Sequence, residues 1–150
     1  MDYLLNRGVT CVCVLDISGA ALQRAQRRLG AQGHDVTWIE ADVTEEWPVR
    51  SVDVWHDRAV FHFLTETSDR AKYVEHLKAA VRRGGTVIIA TFGPDGPSRC
   101  SGLPVVRYSP DQLAAELGSG FKLQQSVTEL HHTPFGTTQA FCYCRFSRSM

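Results

Sequence analysis

The sequence lacks an excess of charge of either sign, a long apolar run and an even set of cysteines. Its 16 Lys and Arg residues balance its 16 Asp and Glu residues, so the whole chain offers no electrostatic attraction to nucleic acid or to an acidic membrane surface. No apolar run approaches the roughly 18 residues that a membrane-spanning helix needs. The five cysteines are an odd number. With no basic and then apolar leader at the N-terminus, they favour reduced thiols and a cytoplasmic location.

Length and composition are those of one ordinary globular domain. The chain has 150 residues, of which 43% are hydrophobic and 21% charged, enough to bury one sizeable core. No repeat, low-complexity segment or linker divides it, so we expect a single domain over residues 1–150. Its basic cluster, Arg24, Arg27 and Arg28, falls on a predicted helix and is more typical of a solvated face than of a partner site.

The pattern of apolar residues predicts strands that alternate with helices. Continuous β-branched runs indicate buried strands of a parallel sheet, while serine caps and helical spacing indicate helices. The predicted strands are Val9–Leu15, Val36–Glu40, Val52–His56, Thr86–Phe92, Phe121–Leu130 and Thr137–Phe146, and the predicted helices are Asp2–Arg7, Ser18–Leu29, Ser68–Val81 and Pro110–Leu117. We read Arg82–Gly85 as a turn and Gly93–Leu103 as a loop.

This order of elements predicts an α/β fold. Alternating strands and helices favour a mostly parallel sheet with helices on both faces. Gly136 lies between the last two predicted strands, which favours an antiparallel hairpin at the C-terminal end. Ser109 before Pro110 predicts a well-capped start for the last helix.

Acidic residues follow the first two predicted strands, where an open parallel sheet binds its ligands. Asp16 can accept hydrogen bonds from both hydroxyls of a ribose, because a carboxylate has two acceptor oxygens; alternatively, it only caps a turn. Asp42 can accept from an adenine amino group while the backbone N–H of Val43 donates to a ring nitrogen. An ordinary turn aspartate is the alternative for Asp42 as well.

The segment His56, Asp57 and Arg58 follows the third predicted strand. Asp57 and Arg58 either form a local salt bridge or face a ligand, and the planar fork of Arg58 can hold a carboxylate or an electron-rich substrate. His62, further along, is a candidate general base or a packed histidine, and we favour packing.

Two cysteine pairs have the spacing of strand neighbours. Cys142 and Cys144 share a face of the last predicted strand, and with His131 and His132 on the neighbouring strand they suggest a metal site. The spacing matches no zinc pattern, however, so we favour buried structural cysteines. We expect Cys11 and Cys13 to pack in the core in the same way.

Several stretches, in their order and spacing, resemble class I S-adenosylmethionine-dependent methyltransferases. The stretches are VTCVCVLDIS, EADVTEEWP, VDVWHDRAVFHFL and RRGGTVIIATF, while GPDGPSRCSGLPVVRYSPDQLAAEL resembles a small bacterial subgroup of that family. The resemblance covers the chain from Val9 to Phe146. It implies a Rossmann-like sheet with strand order 3-2-1-4-5-7-6, the last strand being antiparallel.

The resemblance also implies a cofactor and the residues that hold it. The cofactor is S-adenosylmethionine, and the methyl acceptor is a small molecule or a protein. From the balanced charge and the lack of a long apolar run, we expect neither a nucleic acid nor a membrane as partner. Methyl transfer from a sulfonium often needs only positioning, so the resemblance favours a packed His62 over a general base. By position, the cofactor-binding residues are Asp16 at the ribose, Ile17 against the adenine, Asp42 and Val43 at the adenine edge, and Asp57, while His56 and Arg58 line the substrate side.

The sequence departs from that family at its front. The family has a strand and a loop of the type E/D-x-G-x-G-x-G before the strand that ends at Asp16, where this chain has a short helix-like piece. We therefore expect an N-terminally incomplete domain that lacks the first, central strand and binds the cofactor weakly or not at all. The Asp16 strand and the third strand would then have exposed edges or pair with each other. A second hypothesis is a non-catalytic module that dimerises, or binds a partner, through the open sheet edge.

Overall fold

Strands and helices alternate in the computed structural model, which describes residues 1–48, 51–132, 136 and 138–150. The chain divides into two units, Met1–Pro48 and Val49–Met150. Within the described ranges, no helix combines the length and the apolar character that crossing a membrane requires.

The first unit is built on two parallel strands. In chain order its elements are α1 (Asp2–Asn6), β1 (Cys13–Asp16), α2 (Gly19–Leu29), a 3₁₀ helix (Gly30–Asp35) and β2 (Thr37–Glu40). Strand β1 pairs with β2 from Cys13 opposite Thr37 to Asp16 opposite Glu40. Ser18 caps α2 as predicted, because its Oγ accepts a hydrogen bond from the backbone N–H of Ala21 at 3.2 Å.

The first strand is shorter and more exposed than its apolar sequence predicted. It begins at Cys13 rather than Val9, and Cys11, just before it, has a φ of 58°, a left-handed conformation that interrupts a strand. Val9 is 43% exposed, and Cys11 and Cys13 are also exposed. The expectation of a strand buried on both faces was wrong here, and so was the expectation that these two cysteines pack in the core.

The second unit contains a four-stranded sheet and the helices that cover one face of it. Its elements are β3 (Val52–Arg58), a 3₁₀ helix (Phe61–Phe63), α3 (Thr67–Ala80), β4 (Val81–Phe92), β5 (Arg99–Cys100), β6 (Leu103–Pro104), α4 (Pro110–Leu117), β7 (Phe121–His132) and β8 (Thr138–Arg148). The strand order is β3-β4-β8-β7. Strand β3 is parallel to β4, and β8 is antiparallel to both β4 and β7.

Alternate residues of these strands bury one face of the sheet. Helix α3 packs against β4 and helix α4 against β7. The core of this unit contains Leu77, Val87, Ile89, Leu113, Leu117, Cys144 and Phe146, all 0% exposed. The opposite face is exposed at Val54 (56%) and Val127 (52%) but is buried at the end of β4, where Ala90, Phe92 and Phe141 form a second hydrophobic cluster.

The observed pairings confirm the predicted α/β, Rossmann-like fold with its C-terminal antiparallel hairpin. The pair β1-β2 and the order β3-β4-β8-β7 correspond to the parts 2-3 and 4-5-7-6 of the implied strand order. Gly136 has a φ of 77°, as a hairpin turn favours. Thr137, the predicted first residue of the last strand, lies outside the described residues.

Three predicted boundaries in the second unit were wrong. Helix α3 begins at Thr67 after Glu66, so Ser68 is not its cap. Residues 82–85 lie inside β4 rather than in a separate turn: Val52 is opposite Val81 and Val54 is opposite Thr86, so four residues of β4 oppose one of β3. The predicted loop Gly93–Leu103 contains β5 and runs into β6, which pair with each other.

Ser109 at the start of α4 behaves as its sequence predicted. Its Oγ accepts from the backbone N–H of Gln112 at 3.2 Å, and the Gln112 side chain accepts from the Ser109 N–H at 2.9 Å. This reciprocal pair is a capping box, and Pro110 occupies the first helical position.

Candidate functional site

Asp16 ends β1 and presents an acceptor oxygen at the carboxyl end of the two-stranded sheet. Its Oδ1 accepts a hydrogen bond from the backbone N–H of Ser18 at 2.8 Å, which fixes the carboxylate beside the start of α2. Among the described residues, its Oδ2 has no hydrogen-bond donor. The next residue, Ile17, has 69% of its surface exposed. This pair therefore offers an acceptor atom and an apolar surface side by side.

Asp42 follows β2 at the same edge of that sheet, since β1 and β2 are parallel and Asp16 is opposite Glu40. Its Oδ1 accepts from both the backbone N–H and the hydroxyl of Thr44, at 2.8 and 2.7 Å. These bonds form a turn, as the alternative interpretation of Asp42 as an ordinary turn aspartate predicted. Val43, inside this turn, is buried at 8% exposure. A nucleoside fits the chemistry of these residues: carboxylate acceptors for hydroxyl and amino groups, and an exposed aliphatic side chain for a ring.

Asp57 lies on the covered face of β3, with its carboxylate engaged inside the protein. The residue is 5% exposed. Its Oδ1 accepts from the Val60 N–H at 2.9 Å, and its Oδ2 accepts from the Phe61 N–H at 3.1 Å and from the Tyr73 hydroxyl at 2.7 Å. The Trp55 indole N–H donates to the same Tyr73 hydroxyl at 2.9 Å. Spacing predicted the position of Asp57 but not that its carboxylate faces inward.

The surroundings of Asp57 perturb two titrations. Burial raises the pKa of Asp57 above its usual value of 3.8, although hydrogen bonds from Tyr73, Val60 and Phe61 and the nearby His56 act in the opposite direction. Burial, followed by the neighbouring Asp57 carboxylate, raises the pKa of the Tyr73 hydroxyl well above its ordinary range. Tyr73 thus remains a hydrogen-bond donor to Asp57 at every physiological pH.

The bonds of Asp57 hold the chain reversal that follows β3. Ala59 has a φ of 66°, a left-handed conformation that a non-glycine residue rarely adopts. Its backbone N–H donates to the Ala90 carbonyl at 2.9 Å. Asp57 then ties the backbone of Val60 and Phe61 to the end of the strand, which keeps Arg58 at the strand end.

Arg58 points to the opposite, accessible face of the sheet. Its Nε donates to the Tyr143 hydroxyl at 2.8 Å, and its Cζ lies 4.7 Å from the centre of the Phe141 ring. The local salt bridge between Asp57 and Arg58, one of the two alternatives for this pair, is not formed, because neighbouring residues of a strand point to opposite faces. Sequence reasoning missed Phe141 and Tyr143, although their i, i+2 spacing on a predicted strand indicates a shared face.

The two histidines near this strand end have different environments. His56 is exposed on the accessible face. His62 is 0% exposed. Its ring packs against those of Phe63 and Phe92, with centres 4.6 and 4.8 Å apart, and its Nδ1 accepts from the Phe92 N–H at 3.4 Å. Burial lowers the pKa of His62 to about 4, so the ring is neutral at pH 7, in agreement with the packed reading.

The C-terminal cysteine pair lies in the core, as the sequence favoured. Cys142 and Cys144 are buried with their sulfur atoms 3.7 Å apart. Burial and the neighbouring Cys142 raise the pKa of Cys144 to about 12, which keeps its thiol protonated and a poor metal ligand. In the part of the chain that the structure describes, no three His, Cys, Asp or Glu side chains are placed to hold a metal ion.

A Rossmann-like sheet with carboxylates after its parallel strands defines the class of α/β proteins that bind nucleotides at strand ends. Comparison with known proteins narrows this class. Residues 1–85, more than half of the 150-residue chain, match the family described as methyltransferase domain. The chain therefore belongs to the methyltransferase domain family.

A curated relative and two solved structures are similar to this chain. The malonyl-[acyl-carrier protein] O-methyltransferase of Paenibacillus sp. (strain JDR-2) is 32% identical over 100 residues, covering 63% of this chain and 35% of the relative. The 1,6-didemethyltoxoflavin-N1-methyltransferase of Burkholderia thailandensis, solved with 1,6-didemethyltoxoflavin and S-adenosylhomocysteine, is 19% identical, with a TM-score of 0.74 and coverage of 99% of this chain and 65% of that one. The N-methyltransferase NodS of Bradyrhizobium japonicum WM9, solved with S-adenosylhomocysteine, is 13% identical, with a TM-score of 0.68 and coverage of 93% and 67%.

These relatives extend beyond the length of this chain. The match spans about a third of the curated relative, 35% of its length. At identities of 19% and 13%, the likeness to the two solved structures shows a shared fold.

Proposed function

We propose that the chain is a methyltransferase domain that uses S-adenosylmethionine, with an acceptor that is a small molecule or a protein. Its membership of the methyltransferase domain family supports this, as do similar folds solved with S-adenosylhomocysteine. The structural observation that carries the proposal is the pair at the end of β1, where the accepting Oδ2 of Asp16 lies beside the exposed side chain of Ile17.

The first unit binds the nucleoside part of the cofactor in this proposal. Asp16 accepts hydrogen bonds from the ribose hydroxyls, and Ile17 packs against the adenine ring. Asp42 accepts from the adenine amino group, while the Val43 N–H donates to a ring nitrogen. When bound, S-adenosylmethionine supplies a methyl group on a positively charged sulfur, which a nucleophile can attack directly.

The second unit positions the acceptor in this proposal. His56 and Arg58 are exposed at the end of β3 and contact the acceptor. Asp57 acts through the backbone that it holds, since its two oxygens already accept three hydrogen bonds. Because His62 is buried and neutral, we assign no general base, and catalysis consists of binding and orientation.

Titration with S-adenosylhomocysteine, followed by amide NMR of the ¹⁵N-labelled chain, tests the nucleoside site even at weak affinity. We expect the amide signals of Asp16, Ile17 and Val43 to shift, and Asp16→Asn to weaken binding by about tenfold through the loss of a charged acceptor. Asp35→Asn is the matched control, because Asp35 is exposed at the end of the 3₁₀ helix in the same unit. A titration that leaves these signals unmoved, or that responds equally to both variants, would contradict the nucleoside site.

A second candidate is a module that dimerises through a sheet edge, in the cytoplasm as the sequence favoured. Among the described residues, β1 is hydrogen-bonded to β2 alone and β3 to β4 alone, so each strand has one edge without a partner strand. Light scattering after size-exclusion chromatography at increasing concentration tests this candidate. A mass that stays at one chain, 16.7 kDa, would count against strand-mediated dimers.

A further inference from the structure

Arg58, Ala90 and Tyr143 form a row across the face of the four-stranded sheet opposite its main core, where Arg58 is exposed and Ala90 and Phe141 are buried. Arg58 on β3 is directly opposite Ala90 on β4, and Ala90 is directly opposite Tyr143 on β8. Residues that face each other across paired strands point to the same face. The next pair on the same face places Phe141 of β8 opposite Phe92 of β4, adjacent to this row. We name the group Arg58, Tyr143 and Phe141 the arginine clamp.

The small side chain of Ala90 makes the clamp possible. Arg58 reaches from β3 past β4 to β8, where its Nε donates to the Tyr143 hydroxyl at 2.8 Å. The guanidinium also lies over the Phe141 ring, with Cζ 4.7 Å from the ring centre. The hydrogen bond fixes the direction of the group and the ring contact restricts its plane, so little rotamer freedom is left to lose on binding.

The outer edge of the Arg58 guanidinium is available to a ligand. Nη1 and Nη2 donate to no described residue, and Arg58 takes part in no salt bridge among the described residues. Glu129 of β7 lies on the same face, opposite Phe141 of β8, but it forms no ion pair with Arg58. Within the described residues, Arg58 therefore presents a positive charge without an ion-pair partner and two parallel donors, the arrangement that a planar carboxylate matches.

We propose that the arginine clamp binds a ligand carboxylate, with Arg58 as the direct contact and Tyr143 and Phe141 as positioning residues. The inference rests on the proposed function in that the carboxylate belongs either to the methyl acceptor or to the methionine part of the cofactor. Neutral planar groups lack the charge for this site, and a tetrahedral phosphate does not match a single planar edge as well as a carboxylate does.

The test follows the backbone amide signals of Ala90 and Tyr143, which lie across the paired strands from Arg58 and remain in every variant, in the ¹⁵N-labelled chain during separate titrations with small probes. Benzoate represents an acceptor carboxylate, benzamide its neutral counterpart and phenyl phosphate a tetrahedral anion. S-adenosylhomocysteine and 5′-methylthioadenosine differ in the amino-acid part that carries the cofactor carboxylate, so comparing them addresses the second source. We expect saturable shifts with benzoate and weaker ones with the other two acceptor-like probes.

Three variants separate the contributions of the planar guanidinium of Arg58, of its charge and of its positioning by Tyr143. Arg58→Gln should weaken benzoate binding by about tenfold, and Arg58→Lys should weaken it nearly as much, because lysine keeps the charge but not the fork. Tyr143→Phe keeps the ring and removes the orienting hydroxyl, so it should weaken binding by about threefold. Arg83→Gln, at an exposed position of β4, is the control and should bind benzoate like the wild type.

The outcomes of these titrations either support the proposal or overturn it. Loss of benzoate binding in Arg58→Gln supports an acceptor carboxylate. Loss of S-adenosylhomocysteine affinity in that variant, with 5′-methylthioadenosine unaffected, supports the carboxylate of the cofactor. The proposal is overturned if no probe depends on Arg58, if benzamide or phenyl phosphate binds as well as benzoate, or if the variants lower thermal stability while probe binding stays unchanged. Failure of wild-type chain to bind S-adenosylhomocysteine refutes the proposed function but leaves the benzoate titration as a test of the clamp.

Discussion

The buried His62 makes the second unit sensitive to mild acid. Its ring must be neutral in the folded protein, where burial lowers its pKa from 6.5 to about 4. A group with a depressed folded pKa binds protons preferentially in the unfolded chain. Its contribution to stability is therefore complete above pH 6.5 and is lost as the pH falls towards 4. Replacing His62 by asparagine keeps an acceptor near the position of Nδ1 and removes this titration.

The size of the effect follows from the two pKa values. Proton linkage with 6.5 in the unfolded chain and about 4 in the folded protein gives a loss of about 2 kcal/mol between pH 7 and pH 5. Solvent screening does not reduce this free-energy change, because His62 is 0% exposed. Asp57 acts in the opposite direction, because its raised pKa adds stability as the pH falls, but it is present in both proteins and cancels in their difference.

Urea unfolding followed by circular dichroism at several pH values measures this difference. We expect the stability of the wild type relative to His62→Asn to fall by about 2 kcal/mol from pH 7 to pH 5. The constant offset between the two proteins, which includes the smaller asparagine side chain, does not affect this slope. His132→Gln is the control, since His132 is exposed on β7, and its difference from the wild type should stay flat with pH. A flat difference for His62→Asn as well would refute the burial argument.

Three other substitutions test the packing and caps around the site by the same unfolding measurement. Tyr73→Phe removes the donor to Asp57 and the acceptor of Trp55 and should cost about 2 kcal/mol; an unchanged stability would mean that water replaces the hydroxyl. Ser109→Ala breaks the capping box of α4 and should cost about 1 kcal/mol. A Cβ on Gly85 would lie 2.7 Å from the Arg82 carbonyl oxygen, so Gly85→Ala should cost about 1 to 3 kcal/mol. Gly120→Ala, whose Cβ would meet Lys78 at an ordinary 3.5 Å, is its control and should cost much less.

Local sequence chemistry predicted the elements best where short-range interactions decide the conformation. Ser18 and Ser109 cap their helices through bonds within three residues, so the serines alone indicated the helix starts. Gly136 has the positive φ that a hairpin turn favours. The strand order within the two-stranded and the four-stranded sheet also followed, because the resemblance implied it and the observed pairings correspond to it.

The sequence failed where pairing between distant segments overrides local preference. Residues 82–85 have the composition of a turn, and they form an unpaired bulge in which Gly84 has a φ of 73°; what local composition missed is that β4 begins before them, at Val81, which pairs with Val52. Cys11 stands in an apolar, β-branched run but adopts a left-handed conformation before a strand of four residues. No pattern within ten residues contains that information, because the partner strand determines which residues are paired.

The three strand-end aspartates show why a candidate site is harder to predict than a fold. Spacing predicted the positions of Asp16, Asp42 and Asp57 equally well, but the residues that follow each one give it a different role. Asp16 accepts once, from the N–H two residues on, and its Oδ2 has no donor among the described residues. Asp42 bonds twice to Thr44.

Asp57 alone is followed, 16 residues on, by a tyrosine whose hydroxyl reaches its carboxylate. A carboxylate at a strand end therefore indicates a ligand site only when its donors leave an oxygen unused. This condition depends on which face of the strand the residue occupies. At β3, the carboxylate of Asp57 faces inward and accepts three hydrogen bonds, so we propose the neighbouring Arg58 rather than Asp57 as the ligand contact.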